Sequence, residues 1–451
     1  MVGEKLRITL LTINTYADVQ HILELGKALK DKGHDVSICA GLFLKTAVED
    51  YGMKYCRMYI EIDNIVKEYE DRGEFEYIRR KNFDLHKFLR KRLQRKFEQL
   101  LNHFFIACKD AHIIIYDTNA LGATDIAEFL GIPAVQISTL PNIYPINEYP
   151  FKDYSKKGFF NKRSYKAIKK REKDVIDIVN KFRVNVLGLP NRKSGANFYK
   201  INGWEIPIIY PFPKEFLSEV KSFGEKVHIT GFNNSDFKKP LDKDMYSFLN
   251  AGEPPILVNF GYFPLEDPEL FLEKLINAMY EVKCRFIFVL GETHMDLPNN
   301  PDILLISHTR KEGLLSRCKG FIHYGEFLNI SDGFYYNVPQ LLLPQTTNQK
   351  FWAKFLYSRN LTFKPLLEEK STTKVLIDAL RAFDNVPFKE NQRKINLSIK
   401  EEKGIADSVK VVENTIVDYL DYYKDKTPIG MKRLSHFEIN HNGQLVIKKE
   451  N

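Results

Sequence analysis

Five cysteines are scattered through 451 residues, at positions 39, 56, 108, 284 and 318, and no two of them form a CxxC pair. An odd number at wide spacing excludes a disulfide framework and fits no zinc-site pattern, so a reducing compartment is the simplest reading. No run of 18 or more apolar residues occurs, and no transmembrane helix is expected. The opening MVGEKLRITLLT has no small-residue cleavage site behind an apolar stretch, and Val2 stands where myristoylation needs glycine. These signals are those of a cytoplasmic protein. Short-period repeats and low-complexity stretches are also absent. The net charge of +9 is not spread evenly. Residues 79–96, RRKNFDLHKFLRKRLQRK, hold nine Lys/Arg and one Asp, leaving the remainder near neutral. That is a local basic feature, not a nucleic-acid-binding surface over the whole fold.

What is present is the material of a large folded core. The apolar fraction of 44% and charged fraction of 28% argue against disorder. Aromatics reach 13%, with 33 Phe and 23 Tyr, enough to fill a core and still line an apolar cleft. The length predicts two domains.

The order of apolar runs sets the fold class. LRITLLTI (6–13) reads as a strand, 20–33 as a helix ending in Lys-Gly, and DVSICA (35–40) as a second strand. Strand, helix and strand within this span make a βαβ unit, which builds a parallel sheet with ligand loops at the strand C-terminal ends. HIIIYD (112–117), TDIAEFLG (124–131) and IPAVQIS (132–138) continue the alternation, and EIPIIY (205–210) and EKVHIT (225–230) read as closing strands. It restarts at PPILVNFG (254–261), then DPELFLEKLINAMYE (267–281), CRFIFVLG (284–291), DILLIS (302–307), CKGFIHY (318–324) and PQLLLP (339–344). The expected architecture is α/β, with two doubly wound Rossmann-like domains in series. The boundaries are 1–235, 236–424 and a C-terminal extension 425–451, with the joint around 235–253. HFEINHNGQLVIKK (436–449) alternates apolar and polar residues about Asn442-Gly443, a hairpin signal.

These segments resemble a family. TLLTINTYADVQHILELGKALKDKGHDVSICA is similar to the first βαβ unit of the GT-B glycosyltransferases, nearest to the sterol, glycolipid and natural-product transferases that read T-I-G-T-R-G-D-V-Q-P. KVHITGF (226–232) looks like the strand before their interdomain linker, and PPILVNFGYFPLEDPE resembles the opening of their second domain. FIHYGEFLNISDGFYYNVPQLLLPQTTNQKFWA (321–353) aligns without gaps to their donor-binding segment, which reads H-H-G-G-A-G-T and later D-Q-x-F-W-A. The resemblance spans about residues 6–420. It implies two domains across a cleft, with a last helix at about 405–423 returning to the first. It also implies inverting, metal-independent transfer of a sugar from a UDP- or TDP-type nucleotide donor to a hydroxyl of a lipophilic or natural-product acceptor. No cofactor is implied.

On the acceptor side, the resemblance places the general base in the loop after the first strand, at Asp18. The same Asp equally suits the N-cap of the following helix. His21 is a second candidate base, or a structural histidine. Asp117 ends its strand at the cleft edge, as an orienting acid or as an ordinary turn residue. The basic segment 79–96 falls in the acceptor region and pairs apolar residues at partly helical spacing with cations. It suits an anionic membrane or a lipophilic acceptor, or a solvated helix packed on the domain. KKGFFNKRSYKAIKKR (156–171) is a second segment of the same kind.

On the donor side, the resemblance assigns Gly261, Tyr262, His323, Tyr324, Gly325, Asn329, Asp332, Asn348 and Gln349. The family's small residues let backbone N–H groups approach a pyrophosphate at a helix start. Here Tyr324 replaces a phosphate-contacting His, Glu326 and Leu328 replace Gly, and Tyr262 replaces a small Ser. Asp332 matches the ribose-binding acid, and Asn348-Gln349 match the sugar-reading Asp-Gln, with loop polarity as the plain alternative. Glu326 brings negative charge toward a dianion. Two functions therefore stand side by side: an active transferase, and a catalytically inactive homologue that binds or activates a partner enzyme.

Overall fold

A computed structural model describes residues 4–13, 16–58, 94–151, 154, 161–233, 239–260, 267–289, 297–307, 309, 312–424, 437–439 and 445–447, with backbone alone for 16–18, 171, 437–439 and 445–447. The chain divides into two compact units. Residues 1–152, 156–233 and 402–451 form the first, and 153–155 and 234–401 the second.

The strands are β1 (Arg7–Leu11), β2 (Asp35–Ala40), β3 (Lys54–Arg57), β4 (Ile113–Asp117), β5 (Ala134–Ile137), β6 (Lys200–Ile201), β7 (Trp204–Glu205), β8 (Ile208–Tyr210) and β9 (Val227–Ile229) in the first unit. The second holds β10 (Ile256–Asn259), β11 (Phe286–Val289), β12 (Ile303–Ile306), β13 (Gly320–His323) and β14 (Gln340–Leu342).

The first sheet runs β3-β2-β1-β4-β5-β8-β9, and its pairings are parallel. Helices cover both faces of such a sheet, so its strands are continuous apolar runs; all five residues of β4 are buried. The winding reverses between β1 and β4. Loops leaving those two neighbours diverge, which opens a crevice at their C-terminal ends. The second sheet, β12-β11-β10-β13-β14, is also parallel and reverses between β10 and β13. Phe437–Ile439 and Leu445–Ile447 pair antiparallel, as the hairpin signal predicts; the Asn442-Gly443 turn lies outside the described residues.

The helix Gly404–Tyr423 belongs to the first unit and packs on the helix Tyr16–Asp31. Its buried stripe of Val409, Val412, Ile416, Tyr419 and Tyr423 joins the first unit's core. Each such side chain contributes about 1.5–3 kcal/mol by leaving water. A polar cluster anchors a second helix of this unit. Arg183 lies 2.6 Å from Asp125 and 2.7 Å from Glu128, and Arg192 lies 2.6 Å from both Asp125 and Glu172. These buried charges are paired, so the helix Ala123–Leu130 is tied to residues 183–197 without a stranded ion. Among the described residues no helix is long and apolar enough to cross a membrane.

The chain leaves the first unit after Asn233 and returns at Glu402, and the two passages touch. A Cβ on Gly404 would stand 2.2 Å from the Phe232 carbonyl oxygen, so only glycine fits. The Glu402 carboxylate packs against Gly231, accepts the Lys214 N–H at 3.0 Å, and leaves its Oε2 buried without a hydrogen bond. Burial pushes its pKa up to about 7, and Glu215 and Asp407 add to the rise while Lys214 opposes it.

Two outcomes are expected. Gly404→Ala should cost roughly 1–3 kcal/mol, the overpacking range, measured as a lowered denaturation midpoint. Glu402 binds its proton more tightly folded than unfolded. Its contribution is full below the ordinary glutamate range and is lost as pH climbs to about 7. The urea midpoint of wild type relative to Glu402→Gln should therefore fall across that window; a flat difference would disprove the coupling.

Candidate active site

In the first unit the crevice loops follow β1 and β4. Asp117 is the last residue of β4 and is 3% exposed. Its Oδ2 accepts the Ile13 N–H at 3.2 Å, and its Oδ1 accepts those of Asn119 at 2.7 Å and Ala120 at 3.0 Å. The Thr12 hydroxyl adds a further bond. Burial raises the pKa and these four bonds oppose the rise. One carboxylate thus fixes the ends of both strands at the switch point.

Asp18 lies in the first turn of the helix Tyr16–Asp31, directly beyond β1; its side chain lies outside the described residues. His21 is one turn further and buried, and burial lowers its pKa to about 3. A ring so reluctant to protonate is a weak proton acceptor at neutral pH. Its backbone oxygen accepts from Asn233 Nδ2 at 3.2 Å, and Asn233 Oδ1 is 3.0 Å from Ser408 Oγ. The returning helix therefore holds the backbone of the candidate base helix.

In the second unit the corresponding loops follow β10 and β13. Gly261 and Tyr262 lie outside the described residues. His323 ends β13 fully buried. Its Nδ1 accepts the Gly325 N–H at 3.0 Å, which leaves Nε2–H to donate to Gln340 Oε1 at 3.0 Å. Burial holds its pKa at about 3, so the ring is neutral and its tautomer fixed. His323 shapes the turn. Gly325 has φ +97°, and a Cβ there would come 3.0 Å from Leu342 Cδ2. Tyr324 is buried against Phe260, with ring centres 5.2 Å apart.

Glu326 stands at the N-cap of the helix Phe327–Tyr335, but its side chain makes no capping bond. Its carboxylate, 7% exposed, instead accepts from Asn329 Nδ2 at 3.1 Å and Gln349 Nε2 at 3.3 Å. Asn259 Nδ2 donates to Asn329 Oδ1 at 3.3 Å. Gln349 Oε1 takes the N–H groups of Gln345 at 2.8 Å and Thr346 at 2.9 Å, closing a capping box with Thr346 at the helix Thr347–Ser358. Asn329 and Gln349 both turn their amide donors to the Glu326 carboxylate, which accepts from each, and Asn259 donates in turn to Asn329.

The fold therefore gathers His323, Gly325, Glu326, Asn329 and Gln349 at one turn. Asn348 is exposed beside them, and Asp332 is buried within the helix Phe327–Tyr335. Asn259, Gln340 and Thr346 also belong to the turn and were not assigned from sequence; the Thr346-x-x-Gln349 spacing was the readable signal. Among the described residues no group of three or more His, Cys, Asp or Glu gathers as a metal site. Gly325→Ala should cost about 1–3 kcal/mol, from the left-handed backbone and the Leu342 contact, read as a lowered thermal midpoint. An unchanged midpoint would show that the turn tolerates a side chain.

No family model matches the chain. It is 24% identical over 424 residues to a sterol 3-beta-glucosyltransferase of Arabidopsis thaliana, covering 90% of this chain and 65% of that protein. Sterol 3-beta-glucosyltransferases of Pichia angusta and Candida albicans are each 23% identical, over 95% and 90% of this chain but 35% and 27% of their own lengths. The chain thus spans less than two thirds of these relatives. Among solved structures, the calicheamicin glycosyltransferase CalG4 matches with TM-score 0.66 at 17% identity, over 93% of this chain and 99% of that one. The spinosyn forosaminyltransferase SpnP matches with TM-score 0.65 at 15% identity, over 92% of this chain and all of that one. With the likeness running through both parallel sheets, the chain has the GT-B glycosyltransferase fold of two Rossmann-like domains.

Proposed function

We propose that the protein is an inverting glycosyltransferase that moves a sugar from a UDP- or TDP-type donor to a hydroxyl of a lipophilic acceptor. The observation that carries this reading is the turn Tyr324–Glu326. Glu326 departs from the family pattern in sequence, yet its carboxylate is held by Asn329 and Gln349 and does not cap the helix. The Glu326 side chain therefore does not compete with an anion for the N–H groups of the helix start. That favours an active transferase over the inactive homologue, whose main support was the charge of Glu326. Similarity to sterol glucosyltransferases over nine tenths of the chain supports a lipophilic acceptor.

In this reading Asp18 takes the acceptor proton as the anomeric carbon is attacked. Asp117 positions the loop that carries it. Gly325, Asn329 and the start of the helix Phe327–Tyr335 receive the donor diphosphate, with Gly261, Tyr262 and His323 around them. Asp332, Asn348 and Gln349 serve the ribose and the sugar, Gln349 through the block it forms with Glu326. Residues 79–96, of which 79–93 lie outside the described residues, meet an anionic membrane near the acceptor.

The test is transfer from UDP- and TDP-sugars to a panel of sterols and other lipophilic alcohols, with nucleotide binding followed by calorimetry. Asp18→Asn should lower kcat by roughly 10²–10⁴, the range for losing a general base, with donor affinity nearly unchanged. Wild-type turnover in that variant would move the base elsewhere. A wild-type chain that binds no nucleotide would end the enzyme reading.

A further inference from the structure

From Asn161 on, the second basic segment forms two short helices of the first unit, Asn161–Ser164 and Lys166–Lys173; its first five residues lie outside the described residues. Residues 161–173 hold seven Lys/Arg and one acid, Glu172. Outside this segment and 79–96 the chain is net negative. Successive helical residues turn by about 100°, which puts Lys166, Lys169, Lys170 and Lys173 within roughly 100° of arc. Ile168 and Glu172 fall on the opposite side and are buried. Glu172 is engaged inward, with Arg192 at 2.6 Å and the Gly195 N–H on its other oxygen. It therefore cannot neutralise the outer face. Lys162, Lys166, Lys169, Lys170 and Lys173 are exposed, and none makes an ion pair among the described residues. Asp174 and Asp177 come only where the helix has ended.

The chemistry of this face narrows its partner. The apolar side, Tyr165 and Ile168, is already buried, so the helix has no greasy stripe to insert. Apart from the exposed Arg163, the described exposed charges are lysine ammoniums, mobile point charges that accept any arrangement of anions; the rigid fork of arginine suits a fixed phosphate geometry better. Among the described residues of the two helices the one aromatic, Tyr165, is buried, so their exposed side offers no ring of its own for stacking bases. A stripe about 16 Å long suits a broad, laterally mobile anionic plane.

We propose that Lys162, Lys166, Lys169, Lys170 and Lys173 form a docking face for an anionic lipid bilayer, held by charge without insertion. Each lysine at such a surface is worth about fivefold in partitioning, so the face acts through their number. The contact is independent of sugar transfer, because it uses no residue of the candidate active site.

The experiment compares full-length protein on phosphatidylcholine vesicles with and without phosphatidylserine. Wild type should sediment with the anionic vesicles, less as salt rises, and not with the neutral ones. Replacing the five lysines by Gln should weaken binding by at least about tenfold. A control carries Gln at the exposed Lys243, Lys370, Lys389, Lys394 and Lys400 of the second unit, the same change in net charge, and should retain binding within about twofold. Far-ultraviolet circular dichroism checks that both variants are folded. Equal loss in both variants would reduce the effect to net charge and overturn the proposal. So would undiminished binding by the five-lysine variant, no binding by wild type, or tighter binding to single-stranded RNA than to vesicles. Vesicle binding by a chain that transfers no sugar would sink the enzyme reading and leave this one standing.

Discussion

Parallel strands cannot be joined by tight turns; each must be reached by a crossover that returns over a face of the sheet. In both units the chain starts in the middle of its sheet, winds one way through three strands, and then winds the other way. Loops leaving β1 and β4, or β10 and β13, are forced apart at one edge. Asp117 sits at the first opening, and the turn around Gly325 sits at the second. The candidate site residues stand where they do because the sheets reverse there, and the composition of the loops decides only what each opening can hold.

Buried polar groups must be satisfied, and that rule organises both openings. Asp117 collects backbone N–H groups from two different loops and makes one rigid edge of them. Glu326 collects side-chain amides from two helices. Its charge is met by two amide donors, and its side chain makes no capping bond to the helix start. The neutral His323 serves the same end, since its two ring nitrogens bond Gly325 and Gln340. At Glu326 the departure from the family pattern thus carries a connected set of bonds, while Tyr324 packs on Phe260.

How much of this was legible in the sequence follows from where the information resides. The central strands were readable because burial on both faces makes them apolar runs, as in HIIIYD and PPILVNFG. The switch-point loops followed from their order. The edge strand Lys54–Arg57 was not readable: its residues are exposed or half-buried, and its pattern does not separate it from a loop. Residues 161–187 showed only charge, because the acids that pair with Arg183 and Arg192 lie as far as 67 positions away. Gln349 could be aligned with a sugar-reading residue, but its part in a capping box was a matter of local spacing that the alignment passed over. Side-chain direction at Glu326 depends on partners 3 and 23 residues distant, which no local pattern specifies.

The return of the chain at Glu402 has a consequence for biosynthesis. The first unit is interrupted after Asn233 by the whole of the second, and it takes Val412, Ile416 and Tyr419 of its core from the last long helix. On a ribosome, where synthesis runs from the N-terminus, β1 to β9 emerge well before the helix that covers part of them. The second unit has its own sheet and its own core, and it emerges complete while the first is still waiting. The half of the protein that begins first is therefore the half that finishes last. Until that helix has emerged, the nascent sheet exposes apolar surface along the strip that Gly404–Tyr423 will close.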